Sequence, residues 1–310
     1  MIVLGREEVA DLLEPDALIE AVAAALVDVS AGRASVPARI ASFTPDGLLG
    51  AMVGYVPSLG VLAAKLVSVF PRNRDLPTHQ AVIAVFDPRT GTPVALLDGE
   101  EVTAQRTAAG SALATRLLAR PDAEVLAIIG TGVQARSHAR YVTRVRQFRA
   151  ILVAGRDPDK AGKLAAEIGA RAVRIEEAVR SADVICATTH AREPAIRRDW
   201  LRPGAHLCSV GLNPQGRELD RAADALVAVE SRGSAFAAPP AGARELCDLD
   251  PVQAVEVGEL LLGVRPGRTS PDQVTIYKSV GIAAEDAAAA ALVLRRAGER
   301  GIGHSVDLSR

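Results

Sequence analysis

Residues 124–138 read EVLAIIGTGVQARSH, in which an apolar run of strand length ends in the pattern Gly-x-Gly-x-x-Ala. In a strand-to-helix turn, Gly130 lets the backbone turn sharply, Gly132 leaves room for a pyrophosphate, and Ala135 lets the helix pack closely on the sheet. A helix that begins near Gln134 would offer its first amides and its positive dipole end to that pyrophosphate. Because tight turns that bind nothing share this short pattern, the segments around it decide the interpretation.

A second apolar run, residues 150–154, follows about twenty residues later, as a β-α-β unit requires. It ends in Gly155 and Arg156, where NAD-binding proteins usually place an Asp or Glu that binds the ribose hydroxyls. An arginine in place of that acid favours a 2′-phosphate, so the sequence predicts NADP(H) as the preferred cofactor and NAD(H) as the second candidate. Asp157 would reverse this preference if its carboxylate turned towards the ribose.

Strands alternate with short helices from residue 124 to about residue 277, a pattern that predicts a Rossmann-type doubly wound parallel sheet. The later strand-like segments are residues 171–174, 183–189, 206–211, 225–229 and 274–281, whereas residues 234–262 resemble loop and short helix. Ligands of such sheets bind beyond the carboxyl ends of the strands. The residues that we therefore expect to line a cofactor cleft are Thr188, Thr189, Gly211, Leu212 and Asn213.

The N-terminal third of the chain has a different pattern, because its strands follow one another without long helices between them. Its strand-like segments are residues 48–53, 61–70, 81–86 and 94–97. This succession predicts an antiparallel or mixed sheet in a second, α+β domain. Asp98 and Glu101 then have the spacing of a helix start that resembles a capping box. The predicted helix carries Arg106, for which a solvated surface charge and a binding group are both open.

Lys65 is the unusual residue of this sheet. Strict alternation along the strand places it on the same face as Val61, Ala63, Val67 and Val69. Two interpretations are open: an edge-strand lysine that extends into solvent, or a partly buried ammonium that binds an anionic or carbonyl ligand and has a lowered pKa. Only four of the 36 basic residues are lysines, namely Lys65, Lys160, Lys163 and Lys278.

The composition excludes several classes of protein. The 310 residues suffice for two domains, and a formal net charge of -1 without a basic tract does not suit a nucleic-acid binder. With no signal-peptide layout and no apolar run of membrane-spanning length, we expect a cytoplasmic protein with no membrane segment. Cys186, Cys208 and Cys247 are odd in number and far apart, which favours free thiols over disulfides or a metal site.

Six blocks of sequence together resemble the ornithine cyclodeaminase and mu-crystallin family, in that family's order and spacing. They are VPARI, GYVPSLGVLAAKLVSVFP, DPRTGTPVALLDGEEVTAQRTAAGSALA, IIGTGVQA, SVGLNPQGRELD and YKSVGIAAEDAAAA. The resemblance implies a homodimer that acts on a small amino or imino acid. It also implies a substrate-binding and dimerisation domain from residues 1–108 and 286–310, and a nicotinamide-cofactor domain from residues 109–285.

The resemblance also implies roles for particular residues. The basic groups that would hold the substrate carboxylate are Arg39, Lys65 and Arg106. The cofactor-binding residues would be Gly130, Gly132, Gln134, Ala135, Arg156, Thr188 and Gly211, with Lys278 and Ser279 near the nicotinamide. No metal is implied.

One position departs from the pattern of the family's cyclodeaminases, which carry an aspartate in a Val-Gly-x-Asp block. Here that block ends in Asn213, which would take the catalytic position together with Lys65 but can only donate and accept hydrogen bonds and cannot act as a base. The departure favours a reductase or dehydrogenase of imines of 2-oxo acids, with cyclic ketimines such as Δ1-pyrroline-2-carboxylate as leading substrates and Lys65 as the proton donor. The alternatives are an ornithine cyclodeaminase and a catalytically quiet NADPH-binding protein.

Overall fold

The computed structural model describes residues 1–213, 216–238 and 241–308. Pro214 and Gln215, in the block SVGLNPQGRELD, lie outside the described residues. The chain forms two compact units: Met1–Arg106 with Ile282–Arg310, and Thr107–Gly281. We describe each unit separately, with strands and helices numbered along the chain.

The first unit contains a mixed seven-stranded sheet in the order β15-β1-β6-β5-β4-β3-β2. Its strands are β1 Ile2–Leu4, β2 Ile40–Phe43, β3 Leu48–Val56, β4 Val61–Val69, β5 His79–Phe86, β6 Pro93–Asp98 and β15 His304–Ser305. The pair β1 and β6 is parallel, and the other pairs are antiparallel. The sequence predicted the four long strands β3 to β6, but it did not predict the short strand β1.

Three helices of the first unit pack with this sheet: α1 Arg6–Leu12, α2 Pro15–Ser30 and α9 Ala283–Arg300. Helix α2 begins at Pro15, and the carboxylate of Glu14 caps it by accepting hydrogen bonds from the backbone amides of Asp16 and Ala17. Helix α9 lies against β3 and β4, and it ends at Gly301, which has the left-handed conformation typical of a helix end. These contacts bury the face of the sheet that carries Lys65.

The opposite face of the same sheet is apolar and exposed. Register places Ile40, Ala51, Leu66 and Val82 in one row across β2, β3, β4 and β5. Ile40 is 71% exposed and Leu66 is 44% exposed. An apolar surface of this extent is characteristic of an interaction face.

The second unit contains an eight-stranded sheet in which every pair is parallel, in the order β13-β12-β14-β11-β10-β7-β8-β9. Its strands are β7 Val125–Ile129, β8 Ala150–Ala154, β9 Arg171–Ala172, β10 Val184–Ala187, β11 His206–Ser209, β12 Leu226–Val229, β13 Val255–Glu256 and β14 Thr275–Lys278. The predicted doubly wound parallel sheet is confirmed. Its central strands are buried because both faces of the sheet are covered: β7 and β10 are apolar throughout, whereas β11 and β14 also contain buried polar residues such as Ser209 and Lys278.

The helices between these strands are α4 Val133–Val145, α5 Pro158–Glu167, α6 Ile175–Ser181, α7 Arg232–Ala235 and α8 Val257–Leu262. The stretch that resembled loop and short helix also contains the short strand β13. Helix α3, Gly99–Leu118, begins in the first unit and continues into the second. Asp98 caps it by accepting a 2.7 Å hydrogen bond from the amide of Glu101, so the predicted helix start is confirmed.

All three cysteines are free thiols: Cys186 and Cys208 are buried side by side on β10 and β11, and Cys247 is exposed. Across the described ranges, no cluster of three or more His, Cys, Asp or Glu side chains is arranged to hold a metal ion. Within the same ranges, none of the helices combines the length and the apolar composition that a membrane crossing needs.

Candidate active site

The turn after β7 requires glycine at its first position. Gly130 has a φ of +126°, a conformation that other residues rarely adopt. A Cβ at Gly130 would lie 2.5 Å from Oγ1 of Thr188 and 2.7 Å from its carbonyl oxygen. Thr188 itself is fixed because its hydroxyl donates to the carbonyl of Ile129 at 3.0 Å. The turn and the end of β10 therefore fit tightly against each other.

Gly132 is different, because nothing in the protein requires glycine there. Its φ of -89° suits any residue, and a Cβ would meet no atom within 4 Å. Gly132 precedes the thirteen-residue helix α4, whose N-terminus has no side-chain cap. Ala135 in the first turn is fully buried. The open backbone and uncapped amides fit a phosphate group that approaches the start of α4.

The two residues that bear on the choice of dinucleotide, Arg156 and Asp157, follow β8. Arg156 is exposed. The neighbouring carboxylate of Asp157 caps helix α5, accepting hydrogen bonds from the backbone amides of Asp159 and Lys160 at 3.1 Å each. Asp157 is therefore engaged with α5, and this arrangement does not favour the alternative in which it turns towards a ribose.

A buried glutamate ties together the ends of β10 and β11. The Oε1 atom of Glu218 accepts from the amide and hydroxyl of Thr189 at 2.6 and 2.8 Å. Its Oε2 atom accepts from the hydroxyl of Ser209 and the amide of Gly211, both at 2.8 Å. Glu218 is only 1% exposed. One carboxylate therefore sets the position of both strand ends.

Lys278 at the end of β14 belongs to the same network. Its ammonium donates to the carbonyl of Gly211 at 2.7 Å, the hydroxyl of Ser209 at 3.1 Å and the carboxylate of Glu245 at 3.2 Å. An ammonium has three hydrogens, so these acceptors use its full donor capacity. Ser279, next along the chain, donates to the buried carboxylate of Glu230 at 2.6 Å. Both side chains thus bind acceptors of their own unit.

Asn213 lies beyond the end of β11, as the sequence predicted. Its amide donates a 3.1 Å hydrogen bond to the carbonyl of Ala191. An aspartate could not donate this hydrogen bond. The asparagine therefore also suits the local structure of its loop.

In the first unit, Lys65 lies in the interior of the sheet. Strand β4 pairs with β3 on one side and with β5 on the other, so the edge-strand interpretation is wrong. Lys65 is 3% exposed, and its ammonium lies 2.8 Å from each carboxylate oxygen of Asp286. It also donates to the hydroxyl of Thr103 at 3.3 Å.

Arg106 shares the same carboxylate. Its Nε atom donates to Asp286 at 3.0 Å and its Nη1 atom donates to Glu285 at 3.1 Å. Arg106 is 5% exposed, so the interpretation as a solvated helix charge is wrong. Glu285 also accepts a 3.0 Å hydrogen bond from the amide of Ile282, which anchors the start of α9.

The charges in this cluster alter its titration. Burial lowers the pKa of Lys65 from 10.5 to about 8; Asp286 opposes the fall, whereas Arg106 and Arg39 add to it. Burial would raise the pKa of Asp286, but Lys65 and Arg106 outweigh that effect and the pKa is lowered. The pKa of His79 is lowered by burial and by the two cations Lys65 and Arg106. Near neutral pH the cluster therefore contains cationic Lys65, anionic Asp286 and neutral His79.

The sequence profile of the ornithine cyclodeaminase/mu-crystallin family matches residues 1–301. The chain belongs to this family. It is 37% identical over 305 residues to the ketimine reductase mu-crystallin of Mus musculus, a match that covers 94% of this chain and 95% of the relative. Two similar solved structures are a Δ1-pyrroline-2-carboxylate reductase from Thermococcus litoralis in complex with NADH and L-proline, and an archaeal alanine dehydrogenase dimer with bound NAD. The T. litoralis structure has a TM-score of 0.92 and is 33% identical, and the match covers 99% of this chain and 100% of that chain. The archaeal structure has a TM-score of 0.90 and is 27% identical, and the match covers 99% of each chain.

Within this member of the ornithine cyclodeaminase/mu-crystallin family, the structure gathers the predicted site residues into two groups. Lys65 and Arg106 share a cluster in the first unit, with the charge of Arg39 acting on Lys65. Gly130 and Thr188 are in close contact in the second unit, and Gly211 contacts Lys278.

The sequence patterns did not indicate the acidic partners of these residues. They are Glu285 and Asp286 in the first unit and Glu218, Glu230 and Glu245 in the second, all 7% exposed or less. Their signal was weak because an acid in the first turn of a helix, as Glu285 and Asp286 are, is ordinary at an exposed helix start.

Proposed function

We propose that this protein is an NAD(P)H-dependent reductase of cyclic ketimines that carry a carboxylate on the imine carbon, such as Δ1-pyrroline-2-carboxylate. The observation that carries the proposal is the buried cluster around Lys65 and Arg106. Two relatives of the chain, named as reductases of ketimines and of Δ1-pyrroline-2-carboxylate, support the same class of enzyme, an oxidoreductase that acts on C–N bonds.

The cations of the cluster suit a substrate that carries a carboxylate. Lys65 and Arg106 are 3% and 5% exposed, and burial together with the positive charges of Arg106 and Arg39 lowers the pKa of Lys65. Keeping cations buried is costly, and an anionic ligand beside them would offset part of that cost. The guanidinium of Arg106 and the ammonium of Lys65 are both groups that bind carboxylates through charged hydrogen bonds.

The cluster also supplies the proton that the reaction needs. Reduction of a C=N bond adds a hydride to carbon and a proton to nitrogen. When bound, the dihydronicotinamide supplies the hydride. Lys65, with a pKa of about 8, is mostly protonated at neutral pH and can release its proton readily, so it is suited to act as the general acid.

The second unit would bind the cofactor at the turn after β7. Gly130 and Ala135 shape this turn, and the open backbone at Gly132 and the helix start near Gln134 would receive the pyrophosphate. Thr188 and Gly211 lie at strand ends on the side where such sheets bind ligands. Lys278 and Ser279 act on the cofactor indirectly in this proposal, because Lys278 holds the carbonyl of Gly211 and Ser279 binds Glu230.

The choice of dinucleotide is part of the proposal. The T. litoralis reductase and the archaeal dehydrogenase have NADH and NAD bound. In this chain, exposed Arg156 with Asp157 engaged at α5 supports a preference for NADPH, since a guanidinium favours the 2′-phosphate and no free carboxylate repels it.

We further propose that the chain forms a homodimer through the apolar outer face of the first unit's sheet. Ile40, Leu49, Val53, Leu66 and Val82 are between 43% and 71% exposed on that face. The archaeal alanine dehydrogenase, which resembles this chain along its whole length, is described as a dimer. Light scattering should give a dimer for the parent protein and a monomer for Leu66→Glu. A monomeric parent would exclude this interface.

The test of the proposed activity is cofactor oxidation with a panel of imines. Δ1-pyrroline-2-carboxylate, its six-membered homologue and linear imines of 2-oxo acids should be offered with NADPH and with NADH, and the product identified. We expect rapid NADPH oxidation and formation of the cyclic amino acid. If NADPH binds but no imine is reduced, the protein is a quiet binding protein. Release of ammonia from ornithine with catalytic NAD would indicate a cyclodeaminase.

A further inference from the structure

The ammonium of Lys65 is enclosed by groups from several elements of the first unit. Helix α3 contributes Thr103 and Arg106, and helix α9 contributes Asp286. Helix α9 also contributes Glu285, which binds Arg106. Strand β5 contributes His79, and the segment before β2 contributes Arg39. Among these groups, Asp286 pairs its carboxylate directly with Lys65, with both oxygens at 2.8 Å from the ammonium.

The carboxylate of Asp286 contacts two cations at once. Its Oδ1 atom accepts from Lys65 and from Nε of Arg106, at 2.8 and 3.0 Å. It is 1% exposed and lies in the first turn of α9, where the helix dipole favours a negative charge. A carboxylate held between two cations at a helix start remains ionised at neutral pH.

We propose that Asp286 is a positioning residue for imine reduction: its carboxylate fixes the Lys65 ammonium and the Arg106 guanidinium in one arrangement and keeps Lys65 in its protonated form between turnovers. This inference rests on the proposed role of Lys65 as the proton donor. In each turnover a proton leaves Nζ of Lys65 for the substrate nitrogen, so an N–H bond of the ammonium breaks and an N–H bond of the product forms. Solvent water then returns a proton to the neutral amine.

The carboxylate of Asp286 favours the reprotonation of Lys65, because burial and two neighbouring cations destabilise the charged form of Lys65. Burial is the largest effect that lowers the pKa of Lys65, and Asp286 is the group that raises it. Without the charge of Asp286, Lys65 would therefore be neutral over more of the physiological pH range. A variant that lacks this charge should need a lower pH for the same proton donation.

Glu285 provides a matched control on the same helix turn. It is fully buried, also carries a carboxylate and binds Nη1 of Arg106 at 3.1 Å, whereas the carboxylate that contacts the ammonium of Lys65 is that of Asp286. Glu285→Gln and Asp286→Asn each remove one carboxylate that Arg106 contacts. Only Asp286→Asn also removes the partner of Lys65, so the difference between the variants isolates that contact.

The scarcity of lysine allows a readout that does not depend on activity. With four lysines in the chain, side-chain NMR of protein labelled at lysine should resolve the signal of Lys65, and Lys65→Met assigns it. We expect the parent protein to titrate near pH 8 at Lys65. In Asp286→Asn the midpoint should lie roughly one to three pH units lower, whereas in Glu285→Gln it should stay close to that of the parent.

The kinetic measurement is the pH dependence of kcat/KM for reduction of Δ1-pyrroline-2-carboxylate by NADPH. The parent rate should fall as the pH rises through about 8, because the ammonium is the required form. In Asp286→Asn this fall should begin at lower pH, and Asp286→Glu should restore it towards the parent value. Unchanged NADPH affinity would show that the variant is folded.

Two failures can be told apart. If the parent protein reduces no imine, the proposed function fails, while the NMR titration still tests the pairing of Asp286 with Lys65. If the parent is active but Asp286→Asn leaves both the titration midpoint and the kinetic fall unmoved, or Glu285→Gln moves them equally, the positioning role of Asp286 is wrong.

Discussion

Lys65 and Lys278 are both buried lysines, one in each unit, but their surroundings differ in charge. Lys65 lies among the cations Arg106 and Arg39 and pairs with one carboxylate, Asp286. Lys278 donates all three hydrogens to acceptors of its own unit, one of them the carboxylate of Glu245, and Glu218 binds the same Ser209 hydroxyl. Around Lys65, the cations Arg106 and Arg39 act against its positive charge, whereas two carboxylates, Glu245 and Glu218, belong to the network of Lys278.

The different surroundings of the two lysines show that burial alone does not identify a catalytic lysine. Lys278 binds the hydroxyl of Ser209 and the carbonyl of Gly211, so it fixes the end of β11, and a ligand would have to displace one of these contacts. Around Lys65, burial and neighbouring cations disfavour the charged form, and a bound anion would offset this effect. We therefore propose that Lys65 takes part in the reaction and that Lys278 holds the cofactor loops in shape.

The largest effect that this comparison predicts is on Lys65→Met. Methionine keeps the bulk of the stem, and Asp286 keeps Arg106 as a partner after the charge of Lys65 is removed, so the fold and NADPH binding should survive. The loss of general acid catalysis should lower the turnover rate by about 10² to 10⁴-fold. Steady-state kinetics would check this, with Lys163→Met as the control, because Lys163 is exposed on helix α5. A Lys65 variant within a few-fold of the parent would remove the residue from the mechanism.

Lys278→Met should act mainly on stability. It leaves Glu245, 7% exposed, without the cation that it binds, and breaking a buried ion pair in this way costs about 3 to 5 kcal/mol. Denaturant unfolding should show this loss of free energy. At temperatures where the variant is folded, we expect a higher KM for the cofactor with a smaller change in kcat. A stable variant with a kcat lowered as far as in Lys65→Met would reverse our assignment of the two lysines.

Arg156→Ala should have a smaller effect that is confined to the cofactor. Because Arg156 is exposed, its bond to a 2′-phosphate is screened by water, and we expect NADPH binding to weaken by about tenfold. NADH affinity should change little. Binding constants measured by calorimetry for both dinucleotides would test this, and an equal loss for the two would show that Arg156 does not read the phosphate.

The smallest effect concerns ornithine, for which we expect no measurable release of ammonia from the parent protein. Asn213 cannot act as a base, and its amide is already bonded to the carbonyl of Ala191. Asn213→Asp loses that hydrogen bond, so a gain of cyclodeaminase activity in the variant should be slight. An ammonia assay with ornithine and catalytic NAD is sufficient, and rapid release by the parent would contradict the prediction.

The sequence predicted the second unit's turn well because the signal is local. Gly130, Gly132 and Ala135 lie within six residues of each other, and their roles follow from the strand before them and the helix after them. Alternation along β4 likewise predicted which face of the sheet carries Lys65. Strand and helix patterns repeat over short distances, so they can be recognised without the tertiary structure.

The environment of Lys65 could not be predicted in the same way. Its partner Asp286 is 221 residues away along the chain, and whether β4 is an edge or an interior strand depends on β3 and β5. Glu245, which binds Lys278, is 33 residues away. Glu218 is only seven and nine residues from Gly211 and Ser209, but it also binds Thr189, which is 29 residues away. Residue type and local pattern carry no information about such contacts, which only the folded chain creates.

The most direct test of the account compares two substrates that differ only in the carboxylate. Δ1-pyrroline-2-carboxylate and Δ1-pyrroline should be reduced with NADPH by the parent protein and by Arg106→Met. For the parent protein, kcat/KM should be roughly 10 to 200-fold higher for the carboxylate-bearing imine, which is the range for one charged hydrogen bond. In Arg106→Met most of this preference should disappear. Equal rates for the two imines with the parent protein would contradict the claim that the buried cluster of the first unit binds the substrate carboxylate.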